Sequence, residues 1–236
     1  MSALMGSGVL ALWLDVSPEL DRETDDWYVD EHLPERIDIG GYLRARRYRA
    51  LRRAPGTPGY LSVFEATTPE ALASEGYLSL VKRISPQSQR IRAGFSNVAR
   101  NTFRVRATAG RGLGAVLASY RLKANGPADA GALDAYALGL LRHRGVVGVH
   151  WLQAEPAVRQ RMDAVRAVGQ SDDLVDYALL VETTRETEAD ALRSTALADG
   201  PLAAQGWRAE SIAVYGLLYE VSSPLRDNET RLGDRT

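Results

Sequence analysis

The chain has 236 residues, of which 45% are hydrophobic and 25% charged, and it contains no cysteine. These fractions are typical of a globular protein that buries a core, and the lack of cysteine excludes disulfides, thiolate metal sites and cysteine nucleophiles. A formal net charge of -1 gives no overall attraction to nucleic acid or to an anionic membrane.

The beginning of the chain has no pattern of an export signal. Residues 1–8 lack a basic segment, and the apolar run at 9–14 is too short for a signal core or a membrane span. We therefore predict a cytoplasmic protein whose partner is a small molecule, with neither nucleic acid nor membrane as a partner.

The first half of the chain alternates strand and helix patterns. Apolar runs rich in strand formers predict strands, and Ser-Pro-Glu and Thr-Pro-Glu sequences predict helix starts, because they combine a cap, a first-turn proline and an acid. Pro34 disfavours helical geometry in the residue before it, so the first helix is expected to end at Leu33. The predicted elements are a strand at 8–16, a helix at 17–33, strands at 42–52 and 60–67, a helix at 68–83, an irregular segment at 85–97 and a strand at 101–107.

The same order recurs after a glycine-rich segment at 110–114, which we interpret as a flexible linker. The strand that begins at Tyr177 matches the one that begins at Tyr60 in its tyrosine, its apolar interior and its closing glutamate. The predicted elements are strands at 114–123, 145–152, 177–182 and 211–221 and helices at 129–144 and 186–202.

This order predicts an α+β fold made of two tandem ferredoxin-like βαββαβ repeats with antiparallel sheets. The first repeat is expected at 1–109, the second at 114–223, and a polar, disordered tail at 224–236.

The first predicted helix ends in a dense polar and aromatic segment, Trp-Tyr-x-x-Glu-His-Leu-Pro at residues 27–34. In the corresponding segment of the second half, at 135–141, only Tyr136 is kept and the rest is apolar or glycine. A duplication in which one copy keeps its polar side chains and the other loses them predicts one functional half and one scaffolding half.

His32 is the main candidate for a catalytic residue, because an imidazole can act as a general base or acid near neutral pH. The alternative is a helix-end histidine that interacts with the last carbonyls of its helix. Tyr28, four residues earlier, could donate a hydrogen bond to a developing oxyanion, or it could be an ordinary buried tyrosine. Glu31 could orient the imidazole, or pair with an arginine of the next strand.

The next strand carries Arg44, Arg46 and Arg47, and a guanidinium is well suited to bind a carboxylate or an enolate. Period-two alternation places Arg46 on one face with Tyr42 and Tyr48, so Arg46 is the predicted charge-stabilising residue. The alternative for each arginine is an exposed strand face or an ion pair with a nearby acid. The residues predicted to bind substrate are Trp27, Glu31, Tyr48, Tyr60 and Asp15.

The three histidines, His32, His143 and His150, have no metal-ligand spacing, so we predict no metal site. The glycines at 110–114 precede a strand, whereas phosphate-binding glycine loops follow one, and no serine-nucleophile motif is present. We predict no cofactor.

The repeated plan, with Glu-His-Leu-Pro at 31–34 closing the first helix and Gly-Tyr-Leu at 41–43 opening the next strand, resembles the dimeric α/β-barrel superfamily and, within it, the EthD-like group. The resemblance implies two four-stranded sheets that pack into a barrel, here from two halves of one chain, with a pocket between helices and sheet. Members of the superfamily include cofactor-free monooxygenases, polyketide cyclases, muconolactone isomerases, aldoxime dehydratases, chlorite dismutases and proteins without known activity.

The leading hypothesis is a cofactor-independent enzyme of the dehydratase, isomerase, cyclase or oxygenase type, which transfers a proton of an apolar or aromatic carbonyl or carboxylate compound. His32 would be the base, and Arg46 and Tyr28 would stabilise negative charge. The alternatives are a non-catalytic ligand-binding or assembly module and a haem-binding member. A homodimer is expected if a sheet edge or face is left exposed.

Overall fold

The computed structural model describes residues 4–53, 55–126, 130–165 and 172–223, so the predicted tail at 224–236 lies outside the described residues. The strands are β1 (Gly8–Val16), β2 (Tyr42–Ala50), β3 (Tyr60–Ala66), β4 (Phe95–Gly110), β5 (Val116–Ala124), β6 (Val146–Ala154), β7 (Tyr177–Thr183) and β8 (Trp207–Ser222). They form one closed barrel in the order β1-β3-β2-β8-β5-β7-β6-β4.

The helices cover the outside of this barrel. They are α1 (Asp21–Trp27), α2 (Leu33–Asp38), α3 (Glu75–Val81), α4 (Pro86–Ala93), α5 (Ala130–Gly139), α6 (Pro156–Asp163), α7 (Glu186–Ser194) and α8 (Asp199–Ala204). Short 3-10 turns occur at Pro18–Leu20, Glu70–Ala73 and Leu140–Arg142, and a turn of π-helix occurs at Tyr28–His32. Within the described ranges, every helix is too short or too polar to cross a bilayer.

Each half contributes four neighbouring strands in the same order, β4-β1-β3-β2 and β8-β5-β7-β6. Strands β4 and β8 are 16 residues long and join the halves. The first part of β4 pairs with β1 and its last part with β6, while β8 pairs first with β5 and then with β2. The prediction of two antiparallel ferredoxin-like repeats that form a barrel is confirmed.

The barrel closes within one chain, and this closure removes one reason to expect a homodimer. All eight described strands have a partner on both sides, so an exposed sheet edge does not favour dimerisation here. The homodimer and the boundaries of the two repeats stay predictions.

The predicted end of the first helix at Leu33 is wrong, because the chain stays helical through Pro34 as far as Asp38. The π-turn explains why proline is accepted: the backbone N–H of Leu33 donates to the carbonyl of Tyr28, five residues earlier. The wider turn makes room for the pyrrolidine ring and does not need the N–H that proline lacks.

Other elements also differ from the sequence prediction. The helix predicted at 68–83 is divided at Ser74, and the one at 186–202 is divided into α7 and α8. The segment predicted to be irregular contains α4, which is capped by the Ser85 hydroxyl accepting from the Ser88 N–H at 3.0 Å. The segment predicted as a flexible linker is bound to the barrel through the backbone N–H groups of Arg111 and Gly114.

The buried core has three parts, one inside the barrel and one under the helices of each half. In the second half, Trp151 stacks on Tyr177 with ring centroids 5.3 Å apart and meets Trp207 edge-on at 5.1 Å. Helix α6 also contributes to the first half, because its Val158 and Met162 belong to that core. The second half therefore helps to enclose the core of the first half.

Inside the barrel, Arg46 joins the two halves. Its Nη2 lies 2.9 Å from Glu65 Oε1 on β3, its Nη1 lies 2.6 Å from Glu182 Oε1 on β7, and all three side chains are at most 1% exposed. Each glutamate closes its strand at the matched position and accepts one backbone N–H, from Met5 at 2.8 Å and from Gly114 at 2.7 Å.

His150 on β6 completes this interior network. Its Nε2 lies 3.1 Å from Glu182 Oε1, and its Nδ1 lies 2.8 Å from the Thr108 hydroxyl. Burial alone would raise the pKa of Glu182, but the hydrogen bond from His150 and the charge of Arg46 lower that pKa to about 2. Glu182 is therefore an anion that holds both halves.

Replacement of Arg46 by methionine should destabilise the protein by about 3–5 kcal/mol, because the buried Glu182 loses its arginine while Glu65 keeps only its pair with Arg44. Urea unfolding followed by tryptophan fluorescence measures this change. The control is Arg104→Met, which removes a half-exposed ion pair with Glu155 and should cost less than about 1 kcal/mol. Equal small losses in both variants would contradict the bridging role.

Candidate active site

The π-turn and α2 aim three side chains of the first half at one cavity. Tyr28, His32 and Arg36 follow one another at intervals of four residues, which places them on one side of the continuous helix. The cavity lies between this helix and the outer faces of β1 and β3, and it has about 650 Å³ of empty volume, part of which opens to solvent. Its aromatic walls are Trp27, Tyr28, Phe64, Tyr77 and Phe95.

His32 is held by aromatic rings. Its imidazole stacks on Trp27 with centroids 4.2 Å apart and an interplanar angle of 20°, and it meets Tyr28 edge-on at 5.0 Å and Phe64 edge-on at 5.9 Å. The residue is 7% exposed, and its Nδ1 is buried without a hydrogen-bond partner among the described residues. A π-turn at this point fits the common occurrence of such turns at functional sites.

The surroundings of His32 favour its neutral form. Burial holds the pKa of His32 well below its usual value, and the positive charges of Arg36, Arg92 and Arg47 lower it further. A neutral imidazole can accept a proton, so these surroundings keep His32 in the form of a general base at and below neutral pH.

The lowered pKa predicts how stability depends on pH. Below the unfolded-state pKa of about 6.5, the unfolded chain binds a proton at His32 that the folded chain does not, so the free energy of unfolding should fall by about 1.4 kcal/mol for each pH unit from this residue alone. Urea unfolding at pH 7.5 and pH 5 measures the loss, and His32→Gln should lose less over the same interval. An equal pH dependence in both proteins would contradict a depressed pKa.

The charged part of the wall is positive. Arg36, Arg92 and Arg100 line the cavity, and its described lining contains no carboxylate. Arg100 is held in place by ion pairs with Asp163 and, at 2.9 Å, with Asp172. An apolar cavity with positive charges on its wall is suited to bind an anion or to stabilise one that forms during a reaction.

Three of the predicted site residues, Trp27, Tyr28 and His32, therefore meet at the cavity. The hydroxyl of Tyr28 accepts a hydrogen bond from Ser62 at 3.2 Å, and the guanidinium of Arg47 lies 3.8 Å from the centre of its ring. These contacts fix the orientation of the tyrosine.

Among its described contacts, Glu31 shows none of the three predicted roles, which were to orient the imidazole, to pair with an arginine or to bind substrate. Its carboxylate accepts hydrogen bonds from the hydroxyls of Ser85 at 2.9 Å and Ser88 at 2.7 Å, and Trp27 Nε1 donates to the same Ser88 hydroxyl at 3.0 Å. Glu31 therefore ties α4 to the first helix and steadies the ring on which His32 stacks. It is absent from the cavity wall.

The placement of Arg46 and Tyr48 corrects the prediction that they act beside His32. Both side chains point into the barrel, where Arg46 pairs with the two glutamates, whereas His32 lies on the outer face of the sheet. A register shift between Tyr42 and Arg44 also places Tyr42 on the opposite face of the strand from Arg46 and Tyr48. Tyr42 packs on the helix side of the sheet, against Tyr77. Simple alternation along the strand does not allow for this bulge.

Tyr60 and Asp15 are also absent from the cavity wall. The hydroxyl of Tyr60 is bound to Asp21 and Arg49, and burial together with the bond to Asp21 raises its pKa to about 12. Asp15 accepts the backbone N–H of Gly59 at 2.7 Å and so supports the end of β1. Neither residue contacts His32 in this arrangement.

Most residues of the cavity wall were not predicted from the sequence. Among them, Arg36 could have been found from its spacing to His32. It lies four residues after His32, but the helix was expected to end before Pro34. The other missed aromatic and charged residues of the wall come from β3, α3, α4 and β4, which no local pattern connects to His32. They are Phe64, Tyr77, Arg92, Phe95 and Arg100.

The second half has a tryptophan at the position that corresponds to Arg47. Arg47 pairs with Ser62 in the first half, and Trp151 pairs with Leu179 at the equivalent register position of the second half. In the second half, Trp151 stacks on Tyr177. In the first half, the guanidinium of Arg47 takes the corresponding place and lies 4.2 Å from the centre of the Tyr60 ring. This difference favours a functional first half.

No protein-family model and no curated protein matches the chain, but solved structures do. An anthrone oxidase-like protein matches with a TM-score of 0.60 and 14% identity over 94% of this chain and 96% of its own. A monooxygenase candidate from Fusobacterium nucleatum subsp. nucleatum has a TM-score of 0.55 and 10% identity over 93% and 96% of the two chains. A heme-binding protein from Thermus thermophilus has a TM-score of 0.52 and 10% identity over 91% and 92%.

These similarities concern the fold, since the sequence identities are low. With the closed antiparallel barrel, they show that the chain has the fold of the dimeric α/β-barrel superfamily, as its sequence resemblance implied. The likeness to the EthD-like group stays a prediction.

The Thermus thermophilus protein is named for binding heme, whereas the surroundings of His32 do not fit a haem ligand. A metal-bound histidine donates its other ring N–H to an acceptor, whereas Nδ1 of His32 is buried and has no acceptor among the described residues. Trp27, Tyr28 and Phe64 also enclose the ring. No step of the proposed reaction uses haem.

Proposed function

We propose that this protein is a cofactor-independent enzyme that abstracts a proton from an acidic carbon of an aromatic carbonyl compound. His32 is the base, and the product of this step is an enolate. The observation that carries the proposal is a buried imidazole, with a lowered pKa, in the wall of an aromatic cavity. A neutral histidine accepts the proton, and the positive arginines of the wall stabilise the negative charge that remains on the substrate.

Tyr28 is suited to assist this step. Because its hydroxyl oxygen accepts from Ser62, its own O–H can donate to the developing oxyanion, which supports a role for Tyr28 as a second stabilising group. Dehydration, isomerisation, cyclisation and cofactor-free oxygenation can all proceed from an enolate, so the proposal concerns their shared first step.

The lining of the cavity supports an aromatic substrate. Ligand pockets usually have apolar walls with a few polar groups, and this cavity combines aromatic rings with one imidazole and three arginines. One protein of the same fold is named for its likeness to anthrone oxidase, and anthrone is an aromatic ketone with an acidic CH₂ group.

We also propose that the protein acts in the cytoplasm.

The proton transfer can be measured without knowing the natural substrate. The protein should accelerate deuterium exchange of the acidic CH₂ group of 2-tetralone in D₂O, followed by proton NMR, and His32→Gln should reduce the rate by about 10²–10⁴-fold, as for loss of a general base. Because the pKa of His32 is lowered, the wild-type rate should persist below the usual histidine midpoint of about 6.5.

The matched control is His143→Gln, which changes an exposed histidine outside the cavity wall and should leave the exchange rate unchanged. Circular dichroism shows whether both variants are folded. A folded His32→Gln protein that exchanges 2-tetralone as fast as the wild type would refute His32 as the base.

A further inference from the structure

Arg36 brings an unpaired charge into the wall of the cavity. The residue is 3% exposed, and its Nη1 is buried without a hydrogen-bond partner among the described residues. Its guanidinium carbon lies 5.1 Å from the centre of the Tyr77 ring. The adjacent Glu35 is close enough for the charges to interact, but burial and Glu31 raise the pKa of Glu35, and no ion pair joins it to Arg36 within the described part of the chain.

Other buried arginines of the first half have carboxylate partners. Arg46 pairs with two glutamates, Arg47 donates to Asp25 at 2.9 Å, and Arg100 is held by Asp163 and Asp172. A buried charge without a partner is costly. Its occurrence in the wall of a cavity whose described lining has no carboxylate indicates that an anionic ligand supplies the missing partner.

The shape of the site favours a planar acid. The helix places Arg36 one turn after His32, so an anion on Arg36 positions the rest of the ligand beside the imidazole. Aromatic rings cover the ligand, and the planar guanidinium can bind both oxygens of a carboxylate.

We propose that Arg36 binds a carboxylate of the substrate, and that the natural substrates are therefore planar aromatic acids whose reacting carbon faces His32. This inference rests on the proposed function, because it assigns a substrate class to the same cavity. Arg36 would determine specificity, while His32 performs the proton transfer.

Calorimetric titration with 2-naphthoate and with the uncharged 2-naphthamide tests the proposal. The wild type should bind the acid about 10-fold to 100-fold more tightly than the amide, the range expected for charge-assisted hydrogen bonds. Arg36→Met should lose that difference and keep its affinity for the amide. Arg161→Met, which removes an exposed ion pair with Glu75, is the matched control and should bind like the wild type.

The stability of Arg36→Met gives an independent readout. Because the variant removes an unpaired buried charge, its melting temperature in the absence of ligand should equal or exceed that of the wild type. If the methionine variant does not fold, Arg36→Lys keeps the charge but lacks the planar fork, and it should bind 2-naphthoate less tightly with unchanged affinity for the amide.

Equal wild-type affinity for the acid and the amide, or an unchanged affinity for 2-naphthoate in the folded Arg36 variants, would overturn the proposal. His32→Gln should still bind 2-naphthoate. Since 2-tetralone has no carboxylate, its exchange does not require a carboxylate contact with Arg36, and a failure of carboxylate binding at Arg36 is therefore distinguishable from a failure of the proposed function.

Discussion

The structure depends on one buried cation, Arg46, shared by two carboxylates from the two halves of the chain. Glu65 and Glu182 close corresponding strands, and Arg46 bonds to both at 2.9 and 2.6 Å inside the barrel. Breaking such a network leaves buried charges without partners, which costs more than a surface ion pair contributes. The duplicated halves are therefore joined by charge within the barrel and by the long strands β4 and β8 around it.

The position of Arg46 and its ion pairs inside the barrel determines where an active site can lie. The interior is occupied by its own ion pairs, so the available space is on the outer face, under the helices. There the halves differ: Trp151 fills the position in the second half that Arg47 occupies in the first. The first half keeps a cavity with a neutral imidazole and positively charged walls, which is an environment suited to forming an anion from a neutral carbon acid.

The sequence predicted the fold better than the site. Strand alternation and the matched Tyr60 and Tyr177 strands depend on local patterns, and these led to the repeated plan that the barrel confirms. Arg46 was misplaced because the choice between the two faces of a strand depends on partners distant in the chain. Arg36 was missed because the helix continues through Pro34. A π-turn allows this continuation, and sequence periodicity does not predict a π-turn.

The most direct test of the account is a crystal structure of the protein with 3-hydroxy-2-naphthoate, a planar acid with a phenolic oxygen in place of an enolate. We expect the naphthalene ring to lie between the aromatic walls of the cavity, with its carboxylate on Arg36 and its hydroxyl-bearing edge beside the imidazole of His32. A ligand bound inside the barrel or in the second half, away from His32, would contradict the account.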